Sequence, residues 1–144
     1  MDRCLIDACS LPLSYNYSKY LFYSSFLLGI SSYISFYFQD YYTFLFMFVL
    51  FLSSIQFWRK PDYGLQRDID MFLCKCIAVY FYMNTLCFYD EFSRTMYIYV
   101  FICLFLFLVI EWILFSLKHK KWIIFHMTIH IYVAFFTPFI LYIL

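Results

Sequence analysis

Five apolar segments, separated by short polar connectors, most constrain how this chain can fold. They cover about residues 20–38, 41–58, 71–89, 96–117 and 122–144. A helix that crosses a hydrocarbon core needs roughly 17 to 25 residues, and each segment meets that length. With 66% of its 144 residues hydrophobic and 13% charged, the chain has more apolar surface than a soluble domain of this size buries. The sequence therefore predicts an all-α integral membrane protein, a bundle of five transmembrane helices in a single transmembrane domain, residues 1–144.

The connectors carry most of the charge, and its distribution predicts an orientation. They are residues 39–40, 59–70, 90–94 and 118–121. If successive segments alternate in direction, one side receives Arg3, Lys19, Arg59, Lys60, Arg67, Lys118, Lys120 and Lys121. The other side receives Arg94 alone. The positive-inside rule then places the N-terminus in the cytoplasm and the C-terminus on the opposite side, as a multi-pass membrane protein.

The composition of the chain also limits its partners and its helix contacts. The chain has no basic stripe and no repeated basic and aromatic pattern, so nucleic acid is not an expected partner. Its cysteines show no spacing typical of a disulfide framework. Membrane lipids and other membrane subunits are the candidate partners. In the first segment, five serines between Ser24 and Ser35 predict that this helix makes the closest helix contacts.

The polar side chains inside the apolar segments gather near the basic side. His126 and His130 are four residues apart, which puts them on one face of a helix. At the helical rise they lie ~7 and ~13 Å below that side, and Glu111 lies ~10 Å below it. Ser54 and Asp70 approach the same level. An ionisable side chain at this depth costs ~2.5 to 3.5 kcal/mol, so we expect each one to have a partner inside the bundle.

Three interpretations of this cluster are open. In the first, Glu111 accepts a hydrogen bond from His126 or His130, and serines bond to their own helices, which fixes packing without chemistry. In the second, the two histidines are zinc ligands, and Asp70 or Glu111 completes the set or orients a bound water. In the third, a histidine is an axial ligand of a haem or binds a quinone. The first needs no cofactor, and the second makes zinc the candidate.

The order of these polar residues resembles that of the alkaline ceramidase, adiponectin-receptor and Per1-like superfamily of membrane hydrolases. Ser54, Asp70 and the pair His126 and His130 match the family's serine, its aspartate and its last two zinc ligands. The resemblance implies a zinc ion held by three histidines, with the serine and aspartate supporting a metal-bound water that attacks an amide or ester. The family's Ser-x-x-x-His pattern reads SIQFW here, so Trp58 replaces the first ligand. Five helices are also predicted rather than the seven of the family.

Two functions follow from these residues. The leading prediction is a structural or accessory membrane component without catalysis of its own. The alternative is a ceramidase-like, zinc-dependent lipid amidase or esterase, or a degenerate relative of one. In that alternative Ser54 and Asp70 are the catalytic candidates, with Asp68 as the other possible match for the aspartate. Since two imidazoles and a carboxylate can bind zinc, Asp70 or Glu111 would then replace the missing histidine.

Overall fold

The structure, a computed structural model, describes residues 13–86 and 91–142 of the chain. Within these residues it is all-helical, which confirms the predicted class. Its five helices are α1 (Tyr15–Tyr37), α2 (Tyr41–Arg59), α3 (Leu65–Thr85), α4 (Glu91–Ser116) and α5 (Trp122–Tyr142). Arg3, residues 87–89 of the third predicted span and residues 143–144 of the last one lie outside the described residues.

Two helices begin earlier than the apolar segments that predicted them. α3 begins at Leu65 instead of residue 71, and α4 begins at Glu91 instead of residue 96. In both, the first turn is polar and carries an acidic side chain, Asp68 or Glu91, which the helix dipole stabilises. Hydropathy alone leaves out such a turn. Asp68 and Asp70 therefore lie in the first two turns of α3, before the approximate start of the third apolar segment.

Tight connectors make neighbouring helices antiparallel. Between α1 and α2 the backbone turns at Gln39, whose φ is 63°, and the Asp40 side chain caps α2 by accepting from the Thr43 amide at 3.1 Å. Gly64 has a φ of 150° immediately before α3. Lys118 turns the chain after α4 with a φ of 51°. Each of these positions reverses the chain within a few residues.

The helices form a ring in the order α3, α2, α1, α5, α4. α1 packs most extensively on α2 and also on α5, which confirms the close contacts predicted for the first helix. α4 packs on α5, and α2 packs on α3. By contrast, α3 and α4 scarcely touch along the described residues, so the ring has a loose seam between them.

Serines form the buried face of α1. Together with two leucines, they occupy positions that recur every three or four residues, so that the buried residues share one face of the helix. The buried residues are Ser18, Leu21, Ser24, Ser25, Leu28, Ser31, Ser32 and Ser35. Small side chains allow neighbouring helices to approach closely. Several hydroxyls bond to α1 itself, as Ser25 does by donating to the Leu21 carbonyl at 2.9 Å.

The outer surface is apolar. Large side chains such as Phe105 and Trp112 are exposed on α4, whereas the serines of α1 are buried. By length and composition, α2 and α4 can each cross a membrane, with mean hydropathies of 1.5 and 2.8, and α5 adds a shorter apolar stretch, Trp122–Thr137. A soluble core helix can pass the same test, but it would be mostly buried, whereas the most apolar window of α4 is 0% buried. These two helices support a membrane protein.

Candidate functional site

All five helices line one elongated cavity of about 200 Å³. Along α4 its wall extends from Tyr97 to Glu111, which corresponds to ~21 Å of helix. Most of the wall is hydrocarbon, supplied by leucine, isoleucine, valine and phenylalanine side chains. The cavity therefore follows the length of the helices and is apolar over most of it.

One end of the cavity is polar. The five candidate residues from the sequence all line it, on four different helices: Ser54, Asp70, Glu111, His126 and His130. They come from the end of α2, the start of α3, the end of α4 and the start of α5. The alternation of helix direction brings these termini to one end of the bundle. The structure thus places all five in one site.

Glu111 and His126 form a hydrogen-bonded pair in this site. The Nδ1 atom of His126 lies 2.8 Å from Oε1 of Glu111, and both side chains are about one-fifth exposed (19% and 18%). A carboxylate only accepts, so Nδ1 carries the proton. In its neutral form the imidazole then presents an unprotonated Nε2. The hydrogen bond expected from the first interpretation is present, and the same pair has the geometry of a carboxylate that orients a metal-ligating histidine.

His130 is held by a serine of α1. Its Nδ1 atom lies 2.8 Å from the Ser24 hydroxyl, across 106 residues of sequence. That hydroxyl donates its single proton to the Leu21 carbonyl at 2.9 Å, so it accepts from His130. The neutral His130 ring therefore also presents an unprotonated Nε2. The sequence did not predict the contact between Ser24 and His130. The available signal was the position of Ser24 on the serine face of α1.

Asp70 is buried, at 4% exposure, and is held by two serines of α2. Both the Ser53 hydroxyl, at 2.8 Å, and the Ser54 hydroxyl, at 2.9 Å, donate to its Oδ1 atom. Ser53 also lies 3.0 Å from the Leu50 carbonyl. The proton of Ser54 is therefore directed at a carboxylate rather than at the cavity.

Trp58 fills the space beside His126. The two rings meet edge to face with centroids 4.9 Å apart, and the indole is only 4% exposed. Its Nε1 atom is buried without a hydrogen-bond partner. Because an indole N–H can only donate, Trp58 supplies no metal ligand. The residue that replaces a histidine in the family pattern thus stands next to the histidine pair.

The histidine rings are neighbours, but they lack a third metal ligand in the described part of the chain. Their centroids are 4.7 Å apart. Among residues 13–86 and 91–142, no group of three or more His, Cys, Asp or Glu side chains is placed to hold a metal ion. The site as it stands therefore does not fit a zinc ion with three protein ligands. The haem and quinone interpretations stay predictions.

Comparison with known proteins leaves the family open. No protein-family model matches this chain, and neither the curated proteins nor the solved structures contain a match. The resemblance to the ceramidase-like superfamily thus stays a prediction that depends on the residues quoted above. Function has to be inferred from the geometry of the cavity.

Proposed function

We propose that this chain is a small accessory membrane protein, with five spans and a cytoplasmic N-terminus, that holds a single hydrocarbon chain of a lipid in its cavity. It performs no catalysis of its own. The observation that carries the proposal is the long apolar cavity with one polar end, lined by all five helices. An amphiphile with one chain and one head group has the same distribution of polarity.

The helix lengths and surfaces support five spans. The helices contain 19 to 26 residues. At the helical rise this gives ~29 to ~39 Å, and the hydrocarbon core is ~30 Å thick. The serines of α1 are buried, while large apolar or aromatic side chains are exposed on every helix. Lipid, rather than water, suits such a surface.

The charged residues support the proposed orientation. One end of the bundle carries seven described basic residues: Lys19, Arg59, Lys60, Arg67, Lys118, Lys120 and Lys121. The opposite end carries Arg94, next to the acidic Asp40 and Glu91. Basic residues near membrane spans favour the cytoplasmic side. We therefore place the basic end, and with it the polar end of the cavity, at the cytoplasmic face.

Cysteine labelling in sealed vesicles tests this topology. Cysteine is introduced singly at Gln39, Asp62 and Lys120, in the three described connectors. A membrane-impermeant thiol reagent is expected to reach the second and third variants only from the cytoplasmic side and the first only from the other side. Labelling of positions 39 and 62 from the same side would contradict the proposed spans.

The size of the cavity and its access suit one alkyl chain. Measured in the same way as the cavity volume of 200 Å³, one water-sized group occupies ~10 to 15 Å³. The cavity therefore holds roughly 13 to 20 such groups. A methylene is of similar size. Met71 of α3 and Leu108 of α4 line the cavity yet are 46% and 43% exposed. The cavity is therefore open at the loose seam between α3 and α4, which faces the bilayer in this topology.

A filled cavity tests chain binding. Ala78 lines the cavity, whereas its neighbour Val79 points outward with 61% of its surface exposed. In nanodiscs, wild-type protein is expected to bind tritiated dodecanol at a single saturable site above empty nanodiscs. Ala78→Trp should remove this binding, and the matched control Val79→Trp should keep it. Equal binding to wild type and Ala78→Trp would refute the proposal.

A second candidate function is the zinc-dependent lipid amidase or esterase, or its degenerate form. The observation that favours it is that Ser54, Asp70, His126 and His130 line one cavity. Glu111, bonded to Nδ1 of His126, would orient that ring for a metal at Nε2. Zinc would supply Lewis acidity toward a bound water. The missing third ligand argues for the degenerate form.

Zinc content separates the two candidates. The accessory protein is expected to carry no zinc after purification, and the joint change His126→Ala with His130→Ala should bind no less metal than wild type. Stoichiometric zinc in wild type, lost in that double variant, would instead establish the hydrolase candidate. Trp58→His restores the family pattern beside His126. If that position is the lost ligand, the variant will bind zinc more tightly than wild type.

A further inference from the structure

At the polar end of the cavity, Ser54 and the two histidines have already used their hydrogen-bond donors. The Ser54 hydroxyl donates to Asp70. The Nδ1 proton of His126 goes to Glu111, and that of His130 goes to Ser24. What these groups present to a ligand is two unprotonated imidazole Nε2 atoms and carboxylate oxygen. A ligand can bond to them only by donating.

The charge at this end of the cavity favours a positively charged ligand over a negatively charged one. Two carboxylates, Asp70 and Glu111, line the cavity, and no lysine or arginine does so among the described residues. Basic residues lie beyond the cavity, on the outer connectors. Inside a site of low dielectric constant, a group of like charge is strongly disfavoured and a cation is favoured. An anionic head group, such as a fatty-acid carboxylate, is therefore a poor occupant.

We propose that the ligand is a single-chain lipid amine, whose protonated primary amino group binds between Asp70, Glu111 and the two histidines while its alkyl chain fills the apolar part of the cavity. This inference rests on the proposed function, because it assigns the head group of the same ligand. A primary ammonium has three donors and no acceptor, and it complements four acceptor groups on three helices. Its hydrogen bonds to carboxylates join two charged groups and are thus stronger than those of a neutral hydroxyl donor.

Three ligands of equal chain length test the head group. Dodecylamine, dodecanol and dodecanoate are compared as competitors of tritiated dodecanol on the full chain in nanodiscs made of zwitterionic lipid. We expect dodecylamine to bind about tenfold more tightly than dodecanol, because its bonds to the carboxylates join two charged groups whereas the hydroxyl of dodecanol is neutral. Dodecanoate should bind more weakly than dodecanol.

Isosteric variants test whether the carboxylates cause the preference for dodecylamine over dodecanol. Glu111→Gln keeps an acceptor for the Nδ1 proton of His126 but removes the charge. It should weaken dodecylamine binding about tenfold and dodecanol binding much less, because only the amine loses a contact between two charged groups; retained dodecanol binding also shows that the variant is folded. Asp70→Asn should act in the same direction. Glu91→Gln, an exposed position at the opposite end of α4, is the matched control and should change neither.

The outcomes separate this inference from the proposed function. Equal affinity for all three ligands, or preference for dodecanoate, would overturn the amine assignment while leaving chain binding intact. If no ligand binds, both proposals fail. An amine preference that disappears after treatment with EDTA would belong to a bound metal ion and would also overturn the assignment. A preference that survives EDTA and is lost in Glu111→Gln establishes it.

Discussion

Two serines of one helix provide the sharpest test of the contacts described here. Ser24 and Ser31 are seven residues apart on the buried face of α1, and they are 6% and 0% exposed. Ser24 accepts the Nδ1 proton of His130, whereas the Oγ atom of Ser31 is buried without a partner. Ser24→Ala should therefore destabilise the bundle, and Ser31→Ala should not.

The two variants are expected to change the free energy of unfolding by different amounts and in different directions. Removing the acceptor leaves a buried N–H unpaired, which costs ~1 to 3 kcal/mol in soluble proteins. Between membrane helices, measured couplings average ~0.6 kcal/mol and reach ~1.7 kcal/mol, because the separated helices find other partners in lipid. We expect a loss within that lower range for Ser24→Ala. Ser31→Ala removes a desolvated hydroxyl that bonds to nothing and improves helix propensity, so its free energy of unfolding should be unchanged or higher.

Unfolding by SDS in mixed micelles, followed by the fluorescence of the three tryptophans, measures both changes. His130→Phe, alone and together with Ser24→Ala, completes a double-mutant cycle that isolates the pairwise free energy. The same cycle with Ser31→Ala should give no coupling. Equal destabilisation by the two serine variants, or a coupling of zero between Ser24 and His130, would refute the assigned hydrogen bond.

Three further predictions follow from single positions. Gly64 has a φ of 150° and no atom within 4 Å of an added Cβ, so Gly64→Ala should cost ~1 to 3 kcal/mol through backbone strain alone, measured by the same SDS titration. An added Cβ at Gly29 would lie 3.0 Å from the Phe51 ring, so Gly29→Leu should lower the free energy of unfolding by ~1 to 3 kcal/mol through overpacking against α2, and unchanged stability would contradict that contact. Cys74 lines the cavity and is exposed, whereas Cys103 is exposed and does not line it; bound dodecanol should therefore slow thiol modification of Cys74 but not of Cys103, as followed by mass spectrometry.

The helical class and the approximate positions of the helices could be read from the sequence because its apolar segments are long. A span in hydrocarbon must satisfy its backbone within one helix, so apolar segments of sufficient length identify the elements. Apolar segments did not predict the polar first turns of α3 and α4. Their side chains belong at the interface, where hydropathy falls although the helix continues. For that reason the apolar segment that predicted α3 begins at about residue 71, whereas Asp70 is a buried helical residue.

The level of the polar residues could also be predicted, but not all of their partners. Helical rise and alternating direction put His126, His130 and Glu111 at one end of the bundle, and the structure joins His126 to Glu111 on consecutive helices. The bond from His130 to Ser24 depends on which helices are neighbours in the ring. Amphipathic periodicity shows which face is buried, not which helix covers it. Contacts between α1 and α5 therefore required the structure.

The bond between Ser24 and His130 has a consequence for biogenesis. It spans 106 residues, so at ~5 to 20 residues per second translation needs ~5 to 20 s after Ser24 before His130 is made. Until then the serine face of α1 is covered by α2 alone, and its remaining hydroxyls meet lipid. A change that slows or prevents insertion of α5 therefore leaves a polar seam in the bilayer, where membrane proteases recognise incomplete folds. The abundance of this protein in cells should thus depend on α5 more strongly than on α4, because α5 packs on α1 whereas α4 packs on α5.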